Sequence, residues 1–306
     1  MAAIDLTTNI CGVRFINPVI AASGTFGFGR EYGEYIDLNR LGGISVKGLT
    51  LEPRKGNPPP RIAETPAGIL NSVGLQNPGV KAFIQEELPH LKSFKNLVVI
   101  ANAAGSTAEE YRQMVSILSE SEVDAIELNV SCPNVKEGGV SFGATPDSLS
   151  RIIQHVRPNC TKPLIVKLTP NVGDIKVLAK AAENEGADGI SLINTLLGMK
   201  VDINTRRPVL KNNTGGLSGP AVMPIAVRMT ADVASVVKIP VIGMGGISSG
   251  DDAMEFFLSG ASAVMVGTAN FIDPKACLNV VHGIEAYLKK FQYHALTEIV
   301  GKLELW

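Results

Sequence analysis

Several features that would mark a secreted, membrane-spanning or nucleic-acid-binding protein are absent from this sequence. The four cysteines are scattered singly, without a C-x-x-C pair, which argues against a disulfide framework and suits a reducing compartment. No run reaches the ~18 consecutive apolar residues of a membrane span, and the N-terminus, MAAIDLTTNI, lacks the basic and apolar regions of a signal peptide. The net charge is −1 and no Lys/Arg cluster of nucleic-acid type appears. We therefore expect a soluble, cytoplasmic protein with neither a membrane nor a nucleic-acid partner.

Short apolar segments recur along the chain and end in small or polar residues. Because they are rich in Val and Ile and apolar at consecutive positions, they predict strands that are buried on both faces. The eight segments are PVIAASG (18–24), GGISVKG (42–48), LVVIANAAG (97–105), AIELNVS (125–131), PLIVKLT (163–169), GISLINT (189–195), PVIGMGG (240–246) and SAVMVGT (262–268).

Helical patterns lie between most of these strands. TAEEYRQMVSILSE begins with a threonine cap and an acidic first turn, and GDIKVLAKAAENEGA and SGDDAMEFFLSGA each stop at a glycine. Strands alternating with helices form parallel βαβ units, and eight of them predict an α/β fold, a closed (β/α)8 TIM barrel. An open doubly wound sheet is the alternative, but it rarely needs eight repeats. We expect one domain over residues 1–306, because α/β barrels routinely reach this size undivided.

Three segments fall outside the repeating pattern. Residues 4–18 alternate and turn at Gly12, which suits an N-terminal hairpin covering the bottom of the barrel. Residues 49–78 are too rich in proline and glycine for regular structure, whereas the alternation in residues 196–219 predicts a small hairpin. Long loops in a compact domain are usually functional. We expect both to lie over the C-terminal mouth, where barrel enzymes keep their active sites.

The loops after the last two predicted strands carry glycines suited to anion binding. GMGGISSGDDA and VGTANF would offer backbone N–H groups at helix starts, from Gly245, Gly246, Gly267 and Thr268. In barrels these two loops commonly hold a ligand phosphate. Glycines that merely permit tight turns are the alternative, but two such loops at the right strands favour a phosphate site.

Two lysines and five asparagines are expected at the same mouth. Lys47 and Lys167 end strands within the apolar sequences ISVKG and LIVKL, and a buried cation needs a partner, which an anionic ligand could supply. Two chemistries fit such lysines: the Schiff base of an aldolase, or a cation beside a reduced flavin. Carboxamides both donate and accept hydrogen bonds, which suits a planar ring with alternating C=O and N–H groups. The asparagines are Asn71, Asn102, Asn129, Asn134 and Asn194.

Several motifs resemble those of the dihydroorotate dehydrogenases in order and spacing, and the resemblance covers nearly the whole chain. The resemblance is to the soluble class 1 enzymes. It implies bound FMN, oxidation of (S)-dihydroorotate to orotate, a place in pyrimidine biosynthesis, and no metal site. The motifs are ELNVSCPNV, LNSVGLQNPG, LINTLLGMKVDINTRRPVLKNNTGGLSGP and IPVIGMGGISSGDDAMEFFLSGASAVMVGTANF.

The resemblance also implies two sets of site residues. The FMN set is Ser23, Lys47, Gly48, Asn102, Asn129, Lys167, Ile193, Gly219, Gly245, Gly246, Gly267 and Thr268. The substrate set is Lys47, Asn71, Ser72, Val73, Gly74, Leu75, Asn129, Asn134, Asn194 and Thr195.

Cys132 stands at a predicted strand end between carboxamides, and the family pattern makes it the catalytic base. Dihydroorotate loses a hydride to the flavin and a proton from the neighbouring ring carbon, so a base is needed and no histidine is required. An inert packed thiol is the usual interpretation of a single cysteine, and it is kept for the other three. The membrane-attached class 2 enzymes carry serine here and an N-terminal anchor, so class 2 is not expected.

The motifs LINTLLGMKVDINTRRPVL and TGGLSGP look like class 1B, whose electrons pass to NAD through a second subunit bearing FAD and a [2Fe–2S] cluster. The sequence has no strand-linked G-x-G-x-x-G and no cysteine cluster, so a partner would have to carry both groups. The resemblance implies a hetero-oligomer of two catalytic and two electron-transfer subunits. Three alternatives stay open: a fumarate-linked class 1A enzyme, an FMN barrel acting on another dihydropyrimidine, and a flavin-free lyase or aldolase using Lys167.

Overall fold

The computed structural model describes residues 4–131 and 142–306. Its strands, in chain order, are β1 (Thr8–Ile10), β2 (Val13–Phe15), β3 (Val19–Ala21), β4 (Gly43–Ser45), β5 (Ile62–Thr65), β6 (Gly68–Asn71), β7 (Val98–Ala103), β8 (Ala125–Asn129), β9 (Leu164–Lys167), β10 (Gly189–Leu192), β11 (Leu196–Gly198), β12 (Val201–Asp202), β13 (Arg207–Pro208), β14 (Gly215–Ser218), β15 (Val241–Met244) and β16 (Ala263–Val266).

The helices lie mostly between these strands. The α-helices are α1 (Arg30–Gly33), α2 (Val80–Ala82), α3 (Leu88–Lys92), α4 (Ala108–Ser119), α5 (Pro146–Val156), α6 (Ile175–Asn184), α7 (Met223–Ala234), α8 (Gly250–Leu258) and α9 (Ala276–Lys290). A π-helical segment spans Phe83–Glu87, and 3₁₀ turns span Leu38–Arg40, Arg157–Asn159, Pro220–Val222, Thr268–Phe271 and Leu296–Glu298. Among the described residues, no helix is both long and apolar enough to cross a bilayer.

Eight parallel strands close into a barrel, which confirms the predicted TIM-barrel architecture and rules out the open sheet. Neighbours in the barrel follow chain order, and the last strand, β16, pairs with the first, β3, through Val264–Val19 and Val266–Ala21. Each barrel strand falls inside one of the eight predicted segments. The residues of these strands are almost all buried, as the runs of consecutive apolar residues indicated.

The predicted helix signals also act as expected. The Thr107 hydroxyl accepts a hydrogen bond from the Glu110 N–H at the start of α4, and Ser249 forms a reciprocal capping box with Asp252 at the start of α8. After α8 the chain turns at Gly260, whose φ of 100° suits glycine. The apolar faces of the helices pack on the outside of the barrel and form the main core.

The N-terminal hairpin is present and seals the amino end of the barrel, as predicted. β1 and β2 pair in antiparallel fashion around a two-residue turn in which Cys11 and Gly12 both have positive φ. Ile10 and Phe15 are buried and belong to the same apolar cluster as the inward-facing residues of the barrel strands. The hairpin therefore closes the bottom of the barrel and leaves the opposite end for the functional site.

The two long segments meet above the C-terminal mouth in a four-stranded sheet with the order β11-β14-β6-β5, called here the covering sheet. The prediction of no regular structure in residues 49–78 is wrong, because β5 and β6 form a hairpin there. Pro66 lies in the two-residue turn between them, where it interrupts no strand pairing. The small hairpin predicted in residues 196–219 is confirmed as β12–β13, and β11 and β14 add a second pairing around it.

Candidate active site

A cavity of about 380 Å³ opens at the carboxyl ends of the barrel strands, beneath the covering sheet. Every residue of the predicted FMN set lines it, although these residues come from strand ends and loops spread along most of the chain. Parallel barrel strands end on one face, so the loops that follow them meet there. The remaining wall includes Ile62, Ile69 and Leu217 of the covering sheet, and Met244 and Met265 from the barrel.

A second cavity of about 510 Å³ adjoins the first on the side of the covering sheet. Ser72 and Gly74 of the predicted substrate set line this cavity alone. The residues that line both cavities are Lys47, Asn71, Val73, Leu75, Asn129, Asn194 and Thr195. The two remaining predicted residues, Cys132 and Asn134, lie outside the described part of the chain.

Positive φ and close packing explain two of the three glycines at the expected phosphate end. Gly245 and Gly246 have φ of 132° and 83°, and an added Cβ would lie 2.8 Å from Ala226 Cβ and 2.6 Å from Met223 Cβ. Both positions therefore need glycine for the loop conformation itself. At Gly267, however, an added Cβ would meet no atom closer than 3.5 Å, so packing against the protein does not demand glycine there. This leaves space beside the cavity at Gly267.

Lys47 is a half-buried cation at the junction of the two cavities. Among the described residues its ammonium has neither a hydrogen-bond acceptor nor an ion-pair partner. Burial lowers the pKa of Lys47 below its ordinary value, and the positive charge of Arg61 lowers it further. The expectation that this lysine can accommodate an anionic ligand is therefore consistent with its surroundings.

Lys167, at the end of β9, is only 4% exposed and has partners within the protein. Its Nζ donates to Ser23 Oγ at 3.2 Å and lies 3.7 Å from Glu127 Oε2. The partner that a buried cation needs is thus present within the protein for this lysine, because the barrel interior supplies a carboxylate.

Glu127 was not among the predicted site residues. It is fully buried in β8 and accepts hydrogen bonds from Ser45 Oγ at 2.9 Å and Ser191 Oγ at 2.7 Å, and another from the Asn102 amide. The sequence does contain a signal for it: the apolar segment AIELN has a single acidic residue, and the buried lysine predicted in LIVKL needs a partner of opposite charge.

Three of the predicted asparagines form a chain of side-chain hydrogen bonds. Asn129 Nδ2 donates to Asn102 Oδ1 at 3.2 Å, and Asn194 Nδ2 donates to Asn129 Oδ1 at 3.4 Å. Asn71 lies apart from this chain in β6 and donates to the Gly216 carbonyl of the covering sheet. The structure thus brings together four of the five asparagines, and Asn134 lies outside the described residues.

The second cavity contains an unsatisfied polar atom. Ser72 Oγ is buried without a hydrogen-bond partner, and within residues 4–131 and 142–306 it is the only such side-chain atom. A buried hydroxyl without a partner loses the free energy of its bonds to water, so such atoms commonly face a ligand or an ordered water. This hydroxyl is available to a polar ligand.

The three described cysteines are expected to be unreactive at neutral pH. Burial raises the pKa of Cys11 to about 12 and that of Cys277 to about 12, and burial also raises the pKa of Cys160. A thiol reacts as its thiolate, so these cysteines are poor nucleophiles and poor bases at neutral pH. Packed, inert thiols remain the interpretation for all three.

Comparison with known proteins agrees with the motifs. The family model described as Dihydroorotate dehydrogenase matches residues 5–288. A Thermoanaerobacter pseudethanolicus protein named Dihydroorotate dehydrogenase B (NAD(+)), catalytic subunit, is 56% identical over 301 residues, covering 98% of this chain and 99% of the relative. Proteins of the same name from Alkaliphilus metalliredigens (56% identical; 99% of this chain, 100% of the relative) and Citrifermentans bemidjiense (51%; 98% and 99%) are similar over as much of their length. The resemblance seen in the motifs is confirmed: this chain belongs to the dihydroorotate dehydrogenase family.

Proposed function

We propose that this chain is the catalytic subunit of an NAD-linked dihydroorotate dehydrogenase. It oxidises (S)-dihydroorotate to orotate with bound FMN, in de novo pyrimidine biosynthesis. The electrons pass to NAD through a partner subunit carrying FAD and a [2Fe–2S] cluster, within a cytoplasmic hetero-oligomer of two catalytic and two electron-transfer subunits.

One observation carries the cofactor and substrate sites of this proposal: the two adjoining cavities divide the predicted residues as a cofactor and its substrate would. The names of the relatives support the NAD-linked class. The first cavity is lined by the whole FMN set, and the described substrate residues line the junction or the second cavity. A ring bound at the junction would lie next to Lys47, Asn129 and Asn194. Such adjacency is what transfer between a substrate and a planar cofactor needs.

The first cavity fits FMN by its donors and its space. Gly267 leaves room beside the cavity, and the neighbouring Thr268 hydroxyl, which donates to Ser218 Oγ, is fixed at the expected phosphate end. Lys167 places a buried positive charge in the wall of the same cavity. When bound, FMN supplies the acceptor for the hydride of the substrate. The chain itself holds that group in place and stabilises the negative charge that reduction adds.

The substrate end supplies one cation and several amides. Dihydroorotate carries a carboxylate, which Lys47 can pair, and a ring of alternating C=O and N–H groups, which Asn71, Asn129 and Asn194 can bind. The unpartnered Ser72 hydroxyl offers a further hydrogen bond. In this proposal Cys132 removes the ring proton as general base.

We expect Lys47→Met to raise the dissociation constant of orotate about 10–100-fold, the loss of one charge-assisted hydrogen bond. Because burial and Arg61 lower the pKa of Lys47, the wild-type affinity should fall as pH rises through that lowered pKa, where the ammonium loses its charge. The variant should lose this dependence. Orotate titrations across alkaline pH measure both effects, and Lys55→Met, at an exposed lysine of the same segment, is the control. A wild-type affinity that is flat up to the ordinary lysine range would contradict this role.

The proposed division of labour between subunits predicts which electron acceptors the isolated chain can use. The sequence has no strand-linked G-x-G-x-x-G and no cysteine cluster, so we expect the purified chain to reduce an artificial dye with dihydroorotate but not NAD. Adding the electron-transfer subunit should restore NAD reduction. Steady-state assays with dye, fumarate and NAD in parallel test this. Efficient fumarate reduction would place the chain in class 1A, and direct NAD reduction would overturn the partner proposal.

The same preparation separates the remaining alternatives. A colourless protein that releases no flavin on denaturation would favour a flavin-free lyase or aldolase. Turnover of dihydropyrimidine bases without turnover of dihydroorotate would favour the related pyrimidine-reducing barrels.

A further inference from the structure

Glu127 occupies the centre of a buried polar cluster inside an otherwise apolar barrel. Its strand, β8, lies between β7, which carries Asn102, and β9, which carries Lys167. Glu127 is fully buried and is not among the residues that line the cavity, whereas Asn102 and Lys167 line it. Within the described residues, Asn102 and Lys167 are the hydrogen-bond and ion-pair partners of this carboxylate that also line the cavity.

All the groups around this carboxylate can donate. Ser45, Asn102 and Lys167 surround Oε2, and Ser191 donates to Oε1. A carboxylate accepts and cannot donate, so it holds the Asn102 amide with its NH₂ group inward and its oxygen outward. The Asn102 side chain makes one other hydrogen bond among the described residues, in which Oδ1 accepts from Asn129 Nδ2 at 3.2 Å. Glu127 is thus the group that sets which end of Asn102 faces Asn129.

The orientation set at Asn102 agrees with independent donors further along the chain of asparagines. Asn129 Oδ1 accepts from the backbone N–H of Ser131 and from Asn194 Nδ2, both at 3.4 Å, and Asn194 Oδ1 accepts from the Thr195 N–H at 2.8 Å. Every carboxamide in the chain therefore presents its NH₂ toward Glu127 and its oxygen away. Glu127 at one end of the asparagine chain and the backbone N–H groups at the other end therefore favour the same orientation of all three side-chain amides.

We propose that Glu127 is a positioning residue for the cofactor cavity: it fixes the orientation of Asn102 and holds the ammonium of Lys167, whose charge it partly offsets. This inference rests on the proposed function, because it assigns these two side chains to the FMN site. It adds a group that touches neither cofactor nor substrate but sets the hydrogen bonding and the electrostatic potential of their site.

Two substitutions separate orientation from charge. In Glu127→Gln, the amide oxygen can face Asn102 and Lys167 while the NH₂ group donates to Ser191, so the orientation is kept and the negative charge is lost. In Glu127→Leu, the acceptor is lost as well. Glu183→Gln is the matched control, because Glu183 accepts from the backbone N–H groups of Lys238 and Ile239, ahead of β15 at the opposite end of the barrel.

We expect Glu127→Gln to bind FMN within about threefold of wild type and to shift the reduction potential of the bound flavin to more positive values. The positive charge of Lys167 is then no longer offset, and it stabilises the negative charge added on reduction more strongly. Glu127→Leu should weaken FMN binding at least tenfold, equivalent to about 1.4 kcal/mol. In its crystal structure the hydrogen bond between Asn102 and Asn129 should be lost. Glu183→Gln should match wild type in all three measurements.

A merely structural role would lower the melting temperature of both Glu127 variants without moving the reduction potential of Glu127→Gln, and that result overturns the proposal. If Glu127→Leu fails to fold, the reduction potential of the flavin bound to Glu127→Gln tests the proposal by itself. If wild-type protein binds no FMN, the proposed function fails. The crystal structure of the Leu variant then decides for Glu127, since an unmoved Asn102 amide would refute the positioning role without any cofactor.

Discussion

Replacing Cys132 by alanine is expected to lower dihydroorotate oxidation by about 10²–10⁴-fold, the usual cost of removing a general base. FMN should be retained, because the residues proposed to hold it, such as Lys167 and Gly246, are unchanged. Anaerobic mixing with dihydroorotate, followed by the bleaching of flavin absorbance, measures the chemical step directly. Cys132→Ser should be intermediate at best near pH 7, since an alcohol ionises less readily than a thiol.

The other cysteines provide the control for this experiment. Because burial raises the pKa of Cys11, Cys160 and Cys277, iodoacetamide at neutral pH should leave them unmodified in the folded protein. Alkylation that inactivates wild type and is blocked by orotate would then report on Cys132. An alanine variant that keeps activity within a few-fold of wild type would rule out Cys132 as the base.

The second large effect is expected for Lys167→Ala, which should weaken FMN binding, slow flavin reduction and lower the reduction potential. The variant removes a cation proposed to stabilise reduced flavin and leaves Glu127 buried without its counter-charge. Breaking a buried ion pair from one side typically costs about 3–5 kcal/mol. Redox titration of the bound flavin and thermal unfolding of the apoprotein measure the two consequences separately.

Lys92→Ala is the matched control, because Lys92 forms an ion pair with Asp124 that is about 30% exposed, far from the cavity. Pairs of this kind contribute about 0–1 kcal/mol. The double variant Glu127→Gln/Lys167→Met removes both buried charges, so it should regain stability relative to Lys167→Ala while still lacking the cation. An unchanged reduction potential in Lys167→Ala would count against the proposed electrostatic role.

The sequence predicted those parts of the fold that depend on short-range patterns. The barrel strands could be read from consecutive apolar residues because both faces of each strand are buried, and α4 and α8 carry capping residues next to their first turns. The turn of the N-terminal hairpin was likewise predicted from a single glycine, Gly12. Each of these signals depends only on neighbouring residues.

The covering sheet was only partly predicted, because its pairing joins distant segments. β6 pairs with β14, about 145 residues away. The sequence of residues 49–78 alone does not indicate that a strand so far along the chain pairs with it. The prediction was based on the proline and glycine content of the segment, although Pro66 lies in the turn between β5 and β6. Composition averaged over a long segment thus concealed two short strands.

The motifs named residues that line the two cavities, but they did not point to Glu127, which lines neither cavity. Lys167 was identified as buried, but its partner was sought in a ligand because Glu127 lies on the neighbouring strand, 40 positions earlier in the chain. Strand adjacency in a barrel brings such residues together, and it becomes visible only once the order and register of the strands are known. The roles of all the predicted site residues, including Cys132 and Asn134, remain predictions from the motifs.

Pairing of the first barrel strand with the last has a consequence for how the protein is made. Roughly 240 residues separate β3 from β16, which at ~5–20 residues per second takes the ribosome roughly 12–50 s. During that time β3 has an unpaired edge and the hairpin residues Ile10 and Phe15 lack the closed barrel that buries them, both of which favour aggregation. A nascent chain that ends before β16 is therefore not a smaller barrel but an open sheet with two free edges.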